Sequence, residues 1–367
     1  MDMIVWGLVI LAIYSIVVTL LLLKRRPSQS NDNAAASNEG VVLSNSLIQP
    51  VPAEVPDDLL LEQTRFQDKA DEALRLTQTF QKFVPRQFVD HFAKHGSSSL
   101  ELGRADEDDV AILFCDIRGF TGLSEKMKPQ ELMKFLNSYF LRMNDPIHQN
   151  GGFIDKFIGD AIMALFDHPN GRPEDKANDA LRAAIDLNKA LAVYNHHRAK
   201  SGYEPIKIGI GIHFGAVIIG TVGSDDRMDT TVIGDSVNIA NRLEALAPLY
   251  HADIVVSEQL LTTAANKSVT YRTLDWVKVR GRQAPIKIFE VLGHLSKEQQ
   301  EQRLVVADLI ESSLKARIEQ RFEDALDLLH EALATSPDDP LVFHHIDVCH
   351  RYKKLSLPDD WDGAFTL

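Results

Sequence analysis

The stretch Val110-Ala-Ile-Leu-Phe-Cys-Asp-Ile-Arg-Gly-Phe-Thr121 decides the fold. Its first six residues are apolar and acidic residues precede them, which predicts a strand buried on both faces. Asp116 follows that run directly, and a buried carboxylate is costly unless another group pairs with it. Gly119, Phe120 and Thr121 predict the start of a helix, whose free amide groups form a cradle for an anion. The stretch therefore predicts a strand that delivers a carboxylate to an ion-binding edge.

The flanking sequence predicts an α+β domain around this strand. We expect long helices at residues 129–150 and 174–199, a hairpin at 153–166, two strands within 206–222 broken at Gly215, a helix at 237–246, and strands near 254–256, 271–279 and 286–292. The order β-α-β-β-α-β with extra strands predicts a ferredoxin-like sheet with helices on one face.

Two further segments carry residues suited to chemistry. Asp160 lies at the predicted bend of the hairpin, and together with Asp116 it could hold a pair of hard divalent cations. Asn238 and Arg242 are four residues apart, so they share a helix face that suits a ribose and a charged phosphate. Each residue also has an ordinary interpretation: Asp116 as a helix cap, Asp160 as a turn residue, and Asn238 with Arg242 as an exposed polar face.

Four motifs in order make the chain recognisable. They are Phe114-x-Asp-Ile-x-Gly-Phe-Thr, Gly152-x-x-x-Lys-x-x-Gly-Asp, Gly211-x-His-x-Gly and Thr231-Val-Ile-Gly-Asp-x-Val-Asn-x-Ala-x-Arg242. Together they resemble the class III nucleotidyl cyclase catalytic domain, over residues 106–293. The resemblance implies the fold of that domain and an adenylate cyclase, which converts ATP to 3′,5′-cyclic AMP and pyrophosphate.

The resemblance also implies a role for individual residues. Asp116 and Asp160, with the carbonyl of Ile117, would bind two Mg²⁺ or Mn²⁺ ions per active site. Asn238 would orient the ribose and Arg242 would stabilise the transition state. The remaining substrate contacts would come from Lys156 and Thr231 at the base and from Gly119, Phe120, Thr121 and Arg280 near the phosphates.

In the family that the sequence resembles, these groups meet across a head-to-tail dimer. One protomer supplies the metal ligands and the other supplies the base, ribose and transition-state residues. A homodimer of this chain would form two equivalent sites. Two alternatives stay open at this point: a guanylate cyclase, and a catalytically inactive domain that senses nucleotides or acts as a scaffold.

Charge and cysteine content limit the remaining classes. The 367 residues carry a formal net charge of −13, which argues against nucleic acid as a partner. Two cysteines cannot make a disulfide framework, so we expect a reducing compartment.

The segments outside the catalytic region predict a membrane anchor and helical appendages. Residues 3–23 lack charge and are long enough to span a membrane, and Lys24, Arg25 and Arg26 follow them. We therefore expect a single-pass protein of the inner (cytoplasmic) membrane with its catalytic domain in the cytoplasm. A flexible linker is predicted at 27–57, a helical dimerisation or signalling segment at 58–105, and a tetratricopeptide-like α-helical tail at 297–367. The signalling helix and the tail are candidate contacts for a membrane or signalling partner.

Overall fold

A computed structural model gives the fold of most of the chain after the predicted linker. It describes residues 57–80, 85, 88, 105–168, 171–224, 226–265, 269–278, 284–358 and 361–366. The predicted membrane span, most of the linker, parts of the 58–105 segment and Arg280 lie outside these residues. Among the described residues, no helix is long and apolar enough to cross a bilayer.

The described residues form nine strands and ten helices. The strands are β1 (Ala105–Ile117), β2 (Phe153–Ile158), β3 (Ala161–Phe166), β4 (Ile208–Ser224), β5 (Arg227–Ile233), β6 (Ile254–Ser257), β7 (Tyr271–Lys278), β8 (Ile286–Val291) and β9 (Phe365–Thr366). The helices are α1 (Asp57–Phe80), α2 (Phe120–Ser124), α3 (Pro129–Gln149), α4 (Pro173–Lys200), α5 (Asp235–Leu246), α6 (Glu258–Ala264), α7 (Lys297–Leu304), α8 (Ala307–Ile318), α9 (Phe322–Thr335) and α10 (Pro340–Lys353).

All nine strands belong to one mixed sheet. Its order is β2-β3-β1-β4-β6-β8-β7-β9, with β5 paired to β4. From β2 to β4 in this order each strand is antiparallel to the next, whereas β4 and β6 run parallel. With α3 and α4 between them, the first four strands follow the predicted β-α-β-β-α-β order. Strand β1 is therefore central, and its carboxyl end lies beside the bend of the β2–β3 hairpin.

The prediction of two strands broken at Gly215 is wrong. Strand β4 is continuous from Ile208 to Ser224 and pairs with β1 along its whole length. Gly215 serves a different purpose, because a Cβ there would lie 2.6 Å from the Ser236 hydroxyl oxygen. The glycine lets helix α5 approach the middle of the long strand β4. In the sequence alone, a glycine within a run of strand-forming residues indicates a break in the strand.

The prediction of helices on one face of the sheet is also wrong. Alternate residues of β1 point to opposite faces. Leu113 and Cys115 pack with α3 and α4, whereas Ile112 and Phe114 share a core with Ala240 of α5. Farther along the sheet, helices α8–α10 of the tail cover the apolar side chains of Leu274 and Ile288. The tail is therefore packed on the sheet through its own apolar core.

Helix α1 covers most of the predicted signalling helix. Its side chains from Thr64 to Thr79 are all exposed, including the large apolar residues Phe66, Leu74 and Leu76. Apolar residues of this segment, among them Leu59, Phe66, Ala70 and Ala73, follow an imperfect heptad spacing. This spacing fits both a helix packed on the following domain and a parallel dimer helix. Both interpretations stay predictions.

Candidate active site

The two predicted metal-binding carboxylates lie next to each other. Asp116 is partly buried and directly follows the buried run Val110–Cys115 of β1, and Asp160 sits in the bend between β2 and β3, which Gly159 closes with a left-handed φ of 67°. The backbone N–H of Ile117 donates to Asp160 Oδ2 over 3.3 Å, which joins the bend to the end of β1. The pairing of Cys115 with Ile162 brings these two points together in the sheet.

The environment of Asp160 favours a cation. Burial, hydrogen bonding to Asp116 and the negative charge of Asp116 together raise the pKa of Asp160 to about 7. Two carboxylates in one partly buried place repel each other unless a positive group joins them. Oxygen ligands of this kind are those that Mg²⁺ prefers, and the Ile117 carbonyl is available beside them. The residues present therefore fit a divalent cation.

The predicted base-selecting pair is in direct contact. Lys156 on β2 donates a hydrogen bond from Nζ to Thr231 Oγ1 on β5 over 2.8 Å. The two residues are far apart in sequence, and the hairpin of β4 and β5 brings them together. The Lys156 side chain is 39% exposed, so its ammonium group is accessible to a ligand as well as to Thr231. The pair offers one fixed donor and one hydroxyl that can donate or accept.

Helix α5 carries the predicted ribose and phosphate groups on one face. Asn238 is exposed and Arg242, one turn later, is partly buried. Within the described part of the chain, Arg242 forms no ion pair. An arginine held on a rigid helix without an acidic partner is available for an anionic ligand.

The sequence did not reveal what fixes this helix to the metal-binding end of β1. Arg118 donates from Nη1 to Glu244 Oε1 over 2.7 Å and from Nη2 to the Glu244 carbonyl over 3.3 Å. Burial and the negative charge of Asp116, partly offset by Arg118, raise the pKa of Glu244 to about 6. The guanidinium of Arg118 crosses β4 so closely that a Cβ at Gly209 would overlap it. In the sequence, nothing indicates this pair except the presence of one arginine and one glutamate, over a hundred residues apart.

The predicted phosphate-binding turn leads into a short helix. Gly119 has a φ of 69°, in the left-handed region that glycine tolerates, and α2 begins at Phe120. Gly119 and Thr121 are exposed. Arg280, the other predicted phosphate contact, lies outside the described residues.

The structure thus assembles the predicted residues into three groups. Asp116 and Asp160 form one, Lys156 and Thr231 form the second, and Asn238 with Arg242 form the third. The carboxylates and Arg242 make no ion pair with each other among the described residues. The roles of these residues in catalysis stay predictions.

Comparison with known proteins gives the family. The family model described as the adenylate and guanylate cyclase catalytic domain matches residues 103–293, just over half of the chain. This chain belongs to the adenylate and guanylate cyclase family. The resemblance seen in the four sequence motifs is thereby confirmed, and the mixed sheet is that of a class III cyclase catalytic domain.

Several members of the family are similar to this chain. An adenylate cyclase of Anabaena cylindrica is 44% identical over 219 residues, which is 58% of this chain and 42% of the relative. A terminal-differentiation adenylate cyclase of Dictyostelium discoideum is 32% identical over 77% of this chain and 13% of its own length. The structure of a bacterial light-regulated adenylyl cyclase matches with a TM-score of 0.55 and 26% identity, over 69% of this chain and 71% of that one. The chain thus spans less than half the length of the two curated relatives.

Proposed function

We propose that this protein is an adenylate cyclase, which converts ATP to 3′,5′-cyclic AMP and pyrophosphate. The family includes enzymes for both ATP and GTP, so the choice of nucleotide rests on the base pocket. The hydrogen bond between Lys156 and Thr231 carries the proposal. The adenylate cyclases among the relatives support the same choice.

The Lys156–Thr231 pair complements the edge of adenine. The adenine N1 atom accepts a hydrogen bond, and a lysine ammonium can only donate. The 6-amino group of adenine donates, and the Thr231 hydroxyl can accept from it. Guanine has the opposite arrangement on this edge, with a donor at N1 and an acceptor at position 6. The pair therefore favours ATP over GTP.

Asp116, Asp160 and the Ile117 carbonyl would hold two Mg²⁺ or Mn²⁺ ions. When bound, such ions lower the pKa of the ribose 3′-hydroxyl and neutralise charge on the triphosphate. The 3′-oxygen loses its proton and bonds to the α-phosphorus, while the bond to the departing pyrophosphate breaks. The amide groups that begin α2 at Phe120 and Thr121 follow Asp116 closely in the chain and would orient phosphate oxygens.

Asn238 and Arg242 complete the proposed chemistry from the second subunit. The Asn238 amide would fix the ribose, and the Arg242 guanidinium would stabilise charge on the pentavalent phosphorus. The lack of an ion-pair partner for Arg242 among the described residues supports this role. It also supports a site in which the metal ligands of one protomer meet the α5 helix of its partner.

An exposed apolar face on the β4–β5 hairpin supports a homodimer. Ile218 is directly opposite Ile233 in the strand pairing, and Val222 lies four residues farther along β4 on the same face. Their exposed fractions are 47%, 50% and 41%, respectively. Apolar side chains grouped on one exposed face favour association, and we propose a second copy of this chain as the partner that covers them.

We further propose that the apolar residues 3–23 anchor the protein in the inner membrane, with the catalytic domain on the cytoplasmic side. The uncharged run and the basic cluster that follows it support this orientation. Helix α1 and the tail stay candidate contacts for a membrane or signalling partner.

The direct test is product formation by the full chain in detergent or membranes. ATP and GTP are supplied separately with Mn²⁺ or Mg²⁺, and cyclic AMP and cyclic GMP are quantified, with Asp116→Ala as the control. We expect cyclic AMP as the main product, and no cyclic product from the variant or after chelation of the metal. Preferred formation of cyclic GMP, or no cyclic nucleotide at all, would contradict the proposal.

A further inference from the structure

Asp155 occupies an irregular position in the strand that presents Lys156. In the pairing of β2 with β3, Ile154 is opposite Ala164 and Lys156 is opposite Met163, so Asp155 is an extra residue without a partner. Such a bulge re-aims the side chains that follow it. Ile154 packs against the core under α3 and α4, whereas Met163 belongs to the opposite face. The bulge thus lets Asp155 and Lys156 point to the same face of the sheet.

The Asp155 carboxylate is buried without hydrogen bonds. Its side chain is 1% exposed, and neither oxygen accepts a hydrogen bond from the residues that the structure describes. Removing a carboxylate from water in this way is unfavourable unless another charge compensates it. Lys156 Nζ lies 3.4 Å from Asp155 Oδ2, and it is the group that compensates this charge.

The charges around Asp155 also indicate that Lys156 compensates its carboxylate. Burial, partly offset by the positive charge of Lys156, leaves the pKa of Asp155 raised to about 6. The negative charge of Asp229 on β5 raises it slightly. Asp229 itself is 61% exposed and pairs with Arg227, so it is solvated independently of the pocket.

We propose that Asp155 is a positioning residue that fixes the Lys156 ammonium beneath the nucleotide base and thereby sets the preference for adenine. The buried carboxylate holds the ammonium on one side, and Thr231 accepts from it at 2.8 Å on the other. A lysine held at two points loses less side-chain entropy when it binds a base than a freely moving one. The inference rests on the proposed function, because it deepens the account of the same base pocket.

The first test is Asp155→Asn, which keeps the shape of the side chain and removes its charge. Because Lys156 contacts the base equally before and during reaction, we expect a higher KM for ATP with little change in kcat. We also expect the ratio of kcat/KM for ATP to that for GTP to fall about tenfold, as for the loss of one charge-assisted hydrogen bond. The matched control is Asp229→Asn, which removes an exposed charge nearby and should leave both quantities within about twofold.

A double-mutant cycle separates positioning from a structural role. If Asp155 acts through Lys156, then adding Asp155→Asn to Lys156→Met changes the ATP-to-GTP ratio no further. Independent, additive losses would overturn the inference, and so would an unchanged ratio in Asp155→Asn alone. Thermal melting of each variant shows whether it is folded. A variant that does not fold is replaced by Asp155→Ser in the same cycle.

A binding measurement distinguishes failure of this inference from failure of the proposed function. Calorimetric titration of each protein with the 3′-deoxy forms of ATP and GTP, which lack the hydroxyl that attacks the α-phosphorus, gives the ratio of dissociation constants without cyclisation. If the wild type makes no cyclic AMP, the proposed function fails, and the binding ratio still decides the role of Asp155. If the wild type is active and its binding ratio is unaffected by Asp155→Asn, the inference alone fails.

Discussion

Buried charges are arranged differently at the proposed metal-binding edge of the sheet and at the contact between the sheet and the helical tail. At the edge, Asp116 and Asp160 crowd together, and Arg242 has no ion-pair partner in the described part of the chain. At the tail, buried carboxylates are matched to arginines: Asp275 to Arg317, Asp339 to Arg272, and Glu290 to both Arg272 and Arg303. The buried charges at the edge are proposed to bind a ligand, whereas those at the tail stabilise the packing of the tail on the sheet.

The tail contact also shows why a cluster of possible ligands does not suffice for a metal site. Asp275, His344 and His345 place ligand atoms within 4.8 Å of one another. Asp275 already accepts hydrogen bonds from Tyr250 over 2.8 Å, from Arg317 and from the Trp276 backbone. A cation at Asp275 would have to displace the arginine. Among the residues that the structure describes, Asp116 and Asp160 form no ion pair, which supports the proposal of metal ions there.

The largest effect is expected at the metal-binding edge. Asp116→Ala removes a metal ligand, and we expect cyclic AMP formation to fall about a thousandfold or more, which is several kcal/mol of transition-state stabilisation. The melting temperature should not fall, because the change also removes repulsion with Asp160. Residual activity within tenfold of the wild type would mean that Asp116 is not a metal ligand.

Breaking an ion pair at the tail should have the opposite effect, a loss of stability rather than a loss of activity. Arg317→Met leaves Asp275 buried and unpaired, and we expect a loss of about 3–5 kcal/mol in the free energy of unfolding. Chemical denaturation measures this change. The double variant Asp275→Asn/Arg317→Met should recover most of the loss. A single variant as stable as the wild type would show that the pair contributes nothing.

Acid should weaken the tail contact through His345. Burial lowers the pKa of His345 to about 3, well below its ordinary value of 6.5, so the folded state keeps the ring neutral. The unfolded chain therefore binds the proton first, and stability falls as the pH decreases from 6.5 towards 3. His345→Gln should flatten this part of the stability profile, measured by denaturation at each pH. An equally steep profile in the variant would assign the acid sensitivity to other groups.

The smallest effect is expected on the exposed apolar face of the β4–β5 hairpin. Ile218→Glu should weaken self-association about tenfold, since it introduces a charge into the proposed dimer contact. Met228→Glu is the matched control, because Met228 is equally exposed but pairs with Gly223 on the opposite face of the hairpin. Analytical ultracentrifugation compares the two. Equal weakening by both variants would place the contact elsewhere.

The sequence predicted the residues at the edge of the site better than the residues that hold them in place. The apolar run before Asp116 and the glycine before Asp160 mark their places directly, since both signals are local. The meeting of Lys156 with Thr231 could be expected only from the family resemblance. Asp155 and the Arg118–Glu244 pair escaped notice, because a bulge leaves no periodic signal and an ion pair between distant residues leaves none at all. Gly215 misled the strand assignment for a related reason: its small size serves a helix that packs across the strand.

The most direct test of the shared site is to mix two inactive variants. Asp116→Ala and Arg242→Ala are unfolded together, refolded as a mixture and assayed for cyclic AMP. In a mixed dimer one site combines both defects and the other has neither, so random pairing predicts recovery to about a quarter of wild-type activity. Activity no higher than the sum of the two separate variants would contradict a site built from both subunits.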